Sequence, residues 1–316
     1  MTSPIHGNDL SLPSKDQILA DAAALPSPPM VVLELLRLAN DEDVKLGEVA
    51  DVVSRDAALA GELLKTVNSP AFGLATPVSR LDRAISIIGR RGFRSLLARR
   101  AMRDLVPSNS DEISAEIRRR SVVNATLARS FAHELDPSLA EEAFLVGLLG
   151  SLGHLALARV ASSVHLAPSE SCGGWPREAA ERELLGYSTD EVSSELMIRW
   201  SMPELVAEAV LLRGDLGLTR TPRQASAGLI EALRLAQQAE HVLCGSIPGV
   251  DLAELMNGVR SSGSLERLKL SEILFATEEL VIDLARDLRF EAPAVGSYRE
   301  IVDQAMEALG TTSPLG

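Results

Sequence analysis

Residues 63–74 read Leu-Leu-Lys-Thr-Val-Asn-Ser-Pro-Ala-Phe-Gly-Leu, and they join an amphipathic helix to a polar stop and an aromatic-glycine corner. The helix carries apolar side chains at three- and four-residue spacing, which places them on one face: Leu59, Leu63, Leu64 and Val67. Pro70 lacks the N–H group needed to continue the helix, and Asn68 lies where a side-chain amide can close its end. The stretch therefore predicts a helix over about residues 56–68 and a corner after it.

The composition of the 316-residue chain favours a fold made of helices alone. Hydrophobic residues make up 46% of the sequence, which is ample for a large core. Aromatic residues make up only 3%, whereas strands prefer aromatic and β-branched side chains. Alanine and leucine dominate instead, and both favour close-packed helices. We therefore expect an all-α protein.

The spacing of apolar residues predicts most of the other helices. One helix starts after Pro29, which is well suited to the first helical position. Two more cover about residues 79–88 and 90–106, and Gly89 separates them. Further helices are predicted over about residues 46–54, 111–135 and 139–162, and the last is followed by a loop over 162–176. Two residues of the type that caps a helix start are Asp56 and Asp82.

The sequence pattern divides the chain into three parts. Residues 1–14 carry no apolar period and are expected to form a flexible tail. A polar connector from Gly214 to Pro222 marks a boundary between a domain of residues 15–215 and a C-terminal helical extension of residues 216–316. The extension shows helical spacing over about 223–243, 271–289 and 297–309. Its Ala- and Leu-rich faces either pack back on the first domain or form a homodimer contact.

Charge and apolar pattern argue against two classes of partner. The net charge of −13 disfavours nucleic-acid binding, which needs a basic surface to displace counterions. The longest apolar runs, such as residues 143–149, are far shorter than the ~20 residues that span a bilayer. The N-terminus has no basic-then-apolar signal pattern, so we expect a cytoplasmic protein without membrane contact. Cys172 and Cys244 have no paired spacing and are expected to be ordinary thiols.

The motifs, taken in order along the chain, resemble the HDOD domain, the HD-related output domain of bacterial signalling proteins. The positions that carry the resemblance are Pro26, Pro29, Asp56, Asn68, Ser69, Phe72, Gly73 and Gly89. The family is an all-helical relative of the HD phosphohydrolases, and its members usually lack the metal-binding residues. The resemblance covers about residues 18–215 and implies a multi-helix HDOD bundle, to which the C-terminal helices are an addition.

The resemblance also indicates which residues stand at the metal-binding positions of an HD phosphohydrolase. Such an enzyme holds divalent ions with clustered histidines and carboxylates, among them an adjacent His-Asp pair. This chain has Gly150-Ser151 at the position of that pair. The other ligand positions fall at Arg118 to Ser121, Gly186 to Glu191 and Leu212-Arg213, none of which contains a histidine. The resemblance therefore implies no metal, no cofactor and no catalytic residue.

Histidines elsewhere in the sequence do not restore such a site. The chain has five, and none is followed by aspartate. His154 lies on another face of its helix from Gly150, and we interpret it as a structural residue. His133 is expected at the surface near a helix C-terminus, where its partial charge suits the helix dipole.

Residues 80–130 form a basic segment in an acidic chain. They hold twelve arginines against five acidic residues. One interpretation is a solvated face that acidic residues elsewhere in the chain balance. The other is a partner or anion site, because arginine forks bind phosphates and carboxylates well. The candidate residues for such a surface are Arg90, Arg91, Arg94, Arg99 and Arg103.

Three functional hypotheses follow. The first is a non-enzymatic signalling module that binds signalling proteins in trans, as the HDOD resemblance implies, through a surface around residues 68–73 and 90–103. The second is a receptor for a nucleotide second messenger such as cyclic-di-GMP, with the arginines on its phosphates. The third is a cryptic metal-dependent phosphohydrolase, which the residues at the ligand positions argue against. The sequence contains no nucleophile elbow, no Walker loop and no dinucleotide-binding fingerprint.

Overall fold

The protein folds as a set of packed α-helices. The computed structural model describes residues 13–21, 30–40, 43–105, 112–160, 177–200, 202–214, 222, 227–244, 248–262, 267–287 and 298–308. Across these residues there are fifteen α-helices and no strand, which confirms the all-α prediction. In chain order they are α1 (Lys15–Asp21), α2 (Met30–Asn40), α3 (Leu46–Val53), α4 (Ala57–Val67), α5 (Leu81–Leu105), α6 (Glu112–Leu135), α7 (Ala140–Leu149), α8 (Leu152–Val160), α9 (Arg177–Leu185), α10 (Thr189–Arg199), α11 (Glu204–Arg213), α12 (Ala227–Cys244), α13 (Pro248–Ser262), α14 (Arg267–Asp287) and α15 (Tyr298–Ala308).

Helix α6 lies at the centre of the core. It packs against α7, α12 and α14, and every residue from Ser121 to Ala128 is buried. A helix that is buried around its whole circumference must be covered by neighbours on every side. Helices α2 to α5 form one group, in which α5 contacts α7, and α10 contacts α8 and α11 in another. The buried apolar residues of all these groups belong to one continuous core.

The side chain of Asn68 fixes the corner that follows α4. Its Nδ2 group donates to the carbonyl oxygen of Val78 at 2.8 Å, and the Val78 N–H donates in return to Asn68 Oδ1 at 2.7 Å. Gly73 then adopts a left-handed conformation with φ of 57°, which ends the 3₁₀ turn Pro70–Phe72. The predicted helix end and corner are therefore confirmed, and a single amide closes the loop between them and α5.

Asp56 caps the start of α4, as predicted. Its Oδ1 atom accepts from the N–H groups of Ala58 and Leu59 at 3.0 Å each, which satisfies two donors that have no partner within the helix. Other predictions lie outside the described residues, namely those for Pro26, Pro29, residues 1–12 of the tail, and the loop of residues 162–176 with Cys172.

Gly89 divides α5 into two halves. Its φ of 69° and ψ of 166° lie in a region of backbone conformation that is nearly restricted to glycine. No atom lies within 4 Å of the place a Cβ would take, so the requirement for glycine is one of backbone conformation. The predicted separation of two helices at this residue is confirmed.

The segment of residues 139–162, predicted as one helix, is broken at Gly150 and Ser151 into α7 and α8. The carbonyl oxygen of Gly150 accepts from the Ser193 hydroxyl at 2.7 Å and from Arg213 Nη2 at 2.9 Å. Side chains of α10 and α11 thus bind a carbonyl that a continuous helix would use internally. The prediction was wrong because apolar spacing contains no information about a break that distant residues stabilise.

One described segment, Pro137–Ala158, is long and apolar enough to cross a bilayer by length and composition alone. It includes the break between α7 and α8, and 72% of its most apolar 18-residue stretch is buried inside the protein. Helices that are apolar on all sides also occur in the cores of globular domains, and this segment supplies much of the surface on which α6 packs.

The C-terminal helices pack back on the rest of the chain. Helix α12 contacts α6, α7 and α11, and α14 contacts α6. Packing within the chain is thus observed for the Ala- and Leu-rich faces, while a homodimer contact and the boundary at residue 215 stay predictions. Helix α13 was not predicted, because Gly249 and Gly258 weaken its helical pattern.

Candidate functional site

The peptide between α7 and α8 carries the predicted position of the metal-binding pair, and Arg213 fills the space beside it. This arginine ends α11, and its side chain is only 4% exposed. Its Nη2 atom donates to the Gly150 carbonyl oxygen at 2.9 Å. A Cβ atom at residue 150 would lie 2.1 Å from Arg213 Nη1 and 2.6 Å from the carbonyl oxygen of Val146. No side chain at residue 150 fits while the guanidinium is in this place.

Asp190 binds the same guanidinium from the side of α10. Its Oδ1 atom accepts from Arg213 Nη2 at 2.5 Å, and its Oδ2 atom accepts from Nε at 3.1 Å. The start of α10 positions this carboxylate: Ser188 is the N-cap, and its hydroxyl accepts from the Glu191 N–H at 3.3 Å. Both charged groups are buried, and the two-pronged geometry offsets the cost of removing them from water.

His154 belongs to a second polar group beside this pair. Its Nε2 atom lies 3.2 Å from Glu181 Oε1 and 2.9 Å from the hydroxyl of Thr189. The Thr189 N–H donates to Glu181 Oε2 at 2.7 Å. Side chains of α9 and α10 therefore hold the imidazole, which agrees with its interpretation as a structural residue. Thr189 is 1% exposed, so its hydroxyl is not accessible as a nucleophile.

The residues at the junction of α7 and α8 do not fit a divalent metal ion. Within the described ranges, no group of three or more His, Cys, Asp or Glu side chains is arranged to hold one. The oxygens of Gly150 and Asp190 are of the type that hard cations prefer, but both bind the guanidinium of Arg213. A second cation in the same place would be repelled. The chemistry of this site is that of an internal ion pair.

Two of the three arginines at the predicted first ligand position bond to α6 itself and to α12. Arg119 donates to the two carboxylate oxygens of Glu116 at 2.5 and 2.7 Å, and to Cys244 Sγ at 3.3 Å. Burial raises the pKa of the Cys244 thiol to about 12, which makes it a poor nucleophile. Arg120 donates through Nε to Glu240, and these two side chains are only 10% and 8% exposed.

Two of the five candidate surface arginines meet at one buried carboxylate. Arg94 Nη2 lies 2.9 Å and Arg91 Nε 3.1 Å from Glu142 Oε1 on α7. The Arg94 side chain is largely buried, and burial lowers the pKa of its guanidinium. Arg91 keeps 55% of its side chain exposed. Arg91 is therefore the member of this pair that presents its charge to solvent.

The other three candidates lie elsewhere along α5. Arg90 Nη2 donates to the carbonyl oxygen of Val44 at 2.8 Å. Arg103 forms a two-pronged pair with Glu62 of α4, with distances of 2.9 and 2.5 Å. Arg99 is partly exposed. The five residues share one helix but do not converge on one acceptor, and a partner or anion surface formed by them stays a prediction.

Sequence reasoning missed the acidic residues that hold these arginines. Glu142, Asp190 and Glu240 are separated from their arginine partners by 48, 23 and 120 residues, so no local motif joins them. The available signal was the charge imbalance itself, because a basic segment within an acidic chain indicates compensation from elsewhere.

A further buried carboxyl group, that of Asp251 in α13, has a perturbed pKa. Burial, and then the neighbouring carboxylates Glu254 and Glu240, raise the pKa of Asp251 to about 6, against the opposing effect of Arg120. The pKa of an aspartate in an unfolded chain is about 3.9. Folding therefore takes up a proton between these two values, and the native state loses stability as the pH rises from about 4 to about 6.

We expect Asp251→Asn to stabilise the protein most at about pH 8, by roughly half as much at about pH 5, and to have little effect below about pH 4, because the amide keeps the shape of the carboxyl group without its charge. Urea-unfolding midpoints of wild type and variant across this range measure the difference. Asp303→Asn, on the exposed face of α15, serves as the control for the removal of one carboxylate. A stabilisation by Asp251→Asn that does not vary with pH would contradict the assigned titration.

Comparison with known proteins finds one family and several solved structures. The HDOD domain family matches residues 25–215. The chain is similar to an HDOD domain protein of unknown function from Geobacter sulfurreducens, with 22% identity, a TM-score of 0.61, and coverage of 85% of this chain and 96% of that one. It is also similar to a candidate phosphohydrolase from Shewanella amazonensis SB2B, with 23% identity, a TM-score of 0.56, and coverage of 91% and 97%. These two likenesses establish a shared fold.

A third solved structure and one curated relative extend the comparison. A candidate signal transduction protein from Marinobacter aquaeolei VT8 has 21% identity and a TM-score of 0.56, with coverage of 91% of this chain and 61% of that one. An uncharacterized protein of Treponema pallidum (strain Nichols) is 25% identical over 197 residues. That match covers 61% of this chain and 38% of the relative, so the chain spans about two fifths of that protein.

Proposed function

The chain belongs to the HDOD domain family, and from this premise we propose that it is a signalling protein that binds a partner in trans and catalyses no hydrolysis. Membership of the family supports the role in signal transduction. One observation carries the proposal that no hydrolysis takes place, namely that the guanidinium of Arg213 occupies the space beside Gly150 and is bound by Asp190.

This observation bears on hydrolysis because an HD phosphohydrolase depends on a metal ion to activate water. Gly150 and Ser151 supply neither an imidazole nor a carboxylate. A histidine at residue 150 would collide with Arg213, so a metal-binding pair cannot be restored by one substitution alone. These features favour a function that depends on shape and surface.

Hydrolysis is tested with the purified full chain, Mn²⁺ and two phosphodiesters, cyclic-di-GMP and bis-p-nitrophenyl phosphate. We expect product to form no faster than in buffer that contains Mn²⁺ without protein. A metal-dependent rate that EDTA removes, and that Asp190→Asn abolishes, would overturn the proposal that the protein is not an enzyme.

The partner contact that we propose is the face formed by residues 68–73 and α5, and its chemistry fits an acidic protein surface. Arg91 is the most exposed of the five candidate arginines and lies beside a carboxylate that neutralises only part of the local charge. A charge at the rim of an interface acts mainly through steering and specificity. Reversal of the charge at residue 91 should therefore weaken the binding of an acidic partner.

A pull-down from the native bacterium, with the full chain as bait, tests this contact. Captured proteins are identified by mass spectrometry and then re-bound in purified form to wild type, Arg91→Glu and Arg286→Glu. Arg286 is the matched control, because its side chain is 73% exposed on α14. We expect Arg91→Glu to lower the affinity for the partner by about tenfold and Arg286→Glu to leave that affinity unchanged. Equal binding by all three would overturn the arginine contact while leaving the signalling role in place.

A receptor for cyclic-di-GMP is the alternative use of the same arginines. Arg90, Arg91, Arg94 and Arg103 already bind oxygen acceptors within the protein, which disfavours it. Calorimetric titration with cyclic-di-GMP to high micromolar concentration should give no heat of binding. If cyclic-di-GMP gave a saturable heat of binding that Arg91→Glu removed, the nucleotide and not a protein would be the ligand of these arginines.

A further inference from the structure

Arg213 connects four elements through one side chain and its own backbone. Its guanidinium binds the Gly150 carbonyl between α7 and α8 and the Asp190 carboxylate of α10. Gln237 of α12, in the amide orientation that satisfies both partners, shares the single Arg213 Nε–H with Asp190 as a second acceptor at 3.2 Å and donates to the Arg213 carbonyl oxygen at 3.2 Å. The α7–α8 junction, α10, α11 and α12 therefore meet at this arginine.

We propose that Arg213 is a cation that cross-links separate helices at the place where the resemblance implies the metal-binding pair of a metal-dependent relative, and that it extends this cross-link to the C-terminal helices. Carbonyl and carboxylate oxygens are the ligands of hard cations. Here the same kinds of oxygen bind a planar guanidinium, whose charge is permanent and whose donors are directional. The cross-link is part of the chain, so a chelator cannot remove it.

Glycines at the junction permit the close approach that this cross-link needs. A Cβ atom at residue 153 would lie 2.0 Å from the Thr189 carbonyl oxygen, so the start of α8 is in backbone contact with α10. The Gly153 N–H donates to the Ser193 hydroxyl at 2.8 Å, and that hydroxyl lies 2.7 Å from the Gly150 carbonyl oxygen. Short polar groups thus link the two helices directly beside the guanidinium.

The contact with Gln237 carries the cross-link beyond the segment that matches the family. Helix α12 lies after residue 215, where the family match ends, and it packs on α6, α7 and α11. A displacement of the α7–α8 junction therefore acts on α12 through the hydrogen bonds of the Arg213 side chain as well as through packing. This coupling is independent of which partner the protein binds.

A thermodynamic cycle tests the ion pair at the centre of the cross-link. Arg213→Met leaves the Asp190 carboxylate buried without a counter-charge, and Asp190→Leu does the same to the guanidinium. Each single variant should lower the melting temperature by roughly 5–10 °C. The double variant should regain most of that loss, because an apolar pair replaces the ion pair. Additive losses would overturn the cross-link, and Arg286→Met at an exposed pair should change the melting temperature by less than about 2 °C.

Hydrogen exchange on the full chain measures the coupling to α12. Arg213→Lys keeps the positive charge but loses the two-pronged hydrogen bonding of the guanidinium. Because the charge is kept, the variant is expected to remain folded. Exchange should rise by about tenfold or more at the α7–α8 junction and in α12 around Gln237, while α4 stays protected. Gln237→Leu should reproduce the change in α12 without the change at the junction. Faster exchange confined to α10 and α11 would overturn the extension of the cross-link to α12.

Metal addition distinguishes an arginine cross-link from a retained metal site. EDTA or Mn²⁺ at about 1 mM should shift the melting temperature of the wild type by less than about 1 °C, since only a bound ligand stabilises the native state. A rise of several degrees with Mn²⁺ would overturn the assignment of Arg213 as the cation at this place. Partner binding is measured separately by the pull-down, so the cross-link and the signalling proposal can fail independently.

Discussion

Gly147→Ala should destabilise the protein by about 3 kcal/mol, because α6 and α7 approach each other at this residue with no space for a methyl group. A Cβ atom at residue 147 would lie 2.6 Å from the Cα atom of Ala125, 2.9 Å from its nitrogen and 2.9 Å from the carbonyl oxygen of Asn124. All three are backbone atoms of the central helix. No side-chain rotation relieves such a contact, so the two helices must separate and loosen the core around them.

Urea unfolding of the full chain measures this effect through the shift of the midpoint at constant slope. Gly61→Ala is the matched control, since residue 61 lies on the exposed face of α4 with no atom within 4 Å of the added methyl group. Alanine should stabilise the protein there by about 0.5–1 kcal/mol through helix propensity. A loss below about 1 kcal/mol for Gly147→Ala would contradict the close packing of α6 and α7.

The parts of the fold that the sequence predicted are those with a local cause. Pro70 cannot continue a helix, Asn68 reaches a backbone only ten residues away, and Gly89 takes a conformation that other residues avoid. Each of these constraints acts within a few residues of the chain. Apolar spacing likewise located most of the helices, because one buried face is enough to define the period.

The parts that the sequence did not predict depend on contacts between distant residues. The break between α7 and α8 is stabilised by Ser193 and Arg213, which are 43 and 63 residues away from Gly150. The resemblance implied that the metal ligands are replaced but gave no indication that Arg213 and Asp190 would bind each other. Residues at three of the implied ligand positions form one arrangement, and only the folded chain brings them together.

The basic segment was partly understood from the sequence. In the structure, acidic residues from other helices neutralise several of its arginines, in the pairs Arg94–Glu142, Arg103–Glu62 and Arg120–Glu240. The expectation of a solvated face does not hold for these pairs, because their side chains are between 7% and 23% exposed. Much of the local charge therefore joins helices to one another, and among the five candidate arginines Arg91 is the one whose side chain is mostly exposed.

The pair between Arg120 of α6 and Glu240 of α12 gives the second large expected effect. Arg120→Met leaves the Glu240 carboxylate buried near Asp251, without the cation that offsets both acids. Removal of one member of a buried pair costs about 3–5 kcal/mol, and we expect a destabilisation of this size. The double variant Arg120→Met/Glu240→Leu should recover most of it, because neither member of the pair is then left without the other, and Asp251 loses the repulsion of Glu240 together with the attraction of Arg120.

The unfolding curve of Arg120→Met also tests the predicted boundary at residue 215, because the pair crosses it. The apolar residues on its two sides belong to one core, so the variant should unfold in a single transition at lower urea concentration. Two separated transitions, with the helices α12 to α15 lost first, would show instead that the extension folds as a unit of its own. Arg286→Met removes one member of an exposed pair within α14. It should change the free energy of unfolding by less than about 1 kcal/mol. If both variants behaved alike, the interface between α6 and α12 would be held by apolar packing alone, and the buried charges would contribute nothing to the attachment of the C-terminal helices.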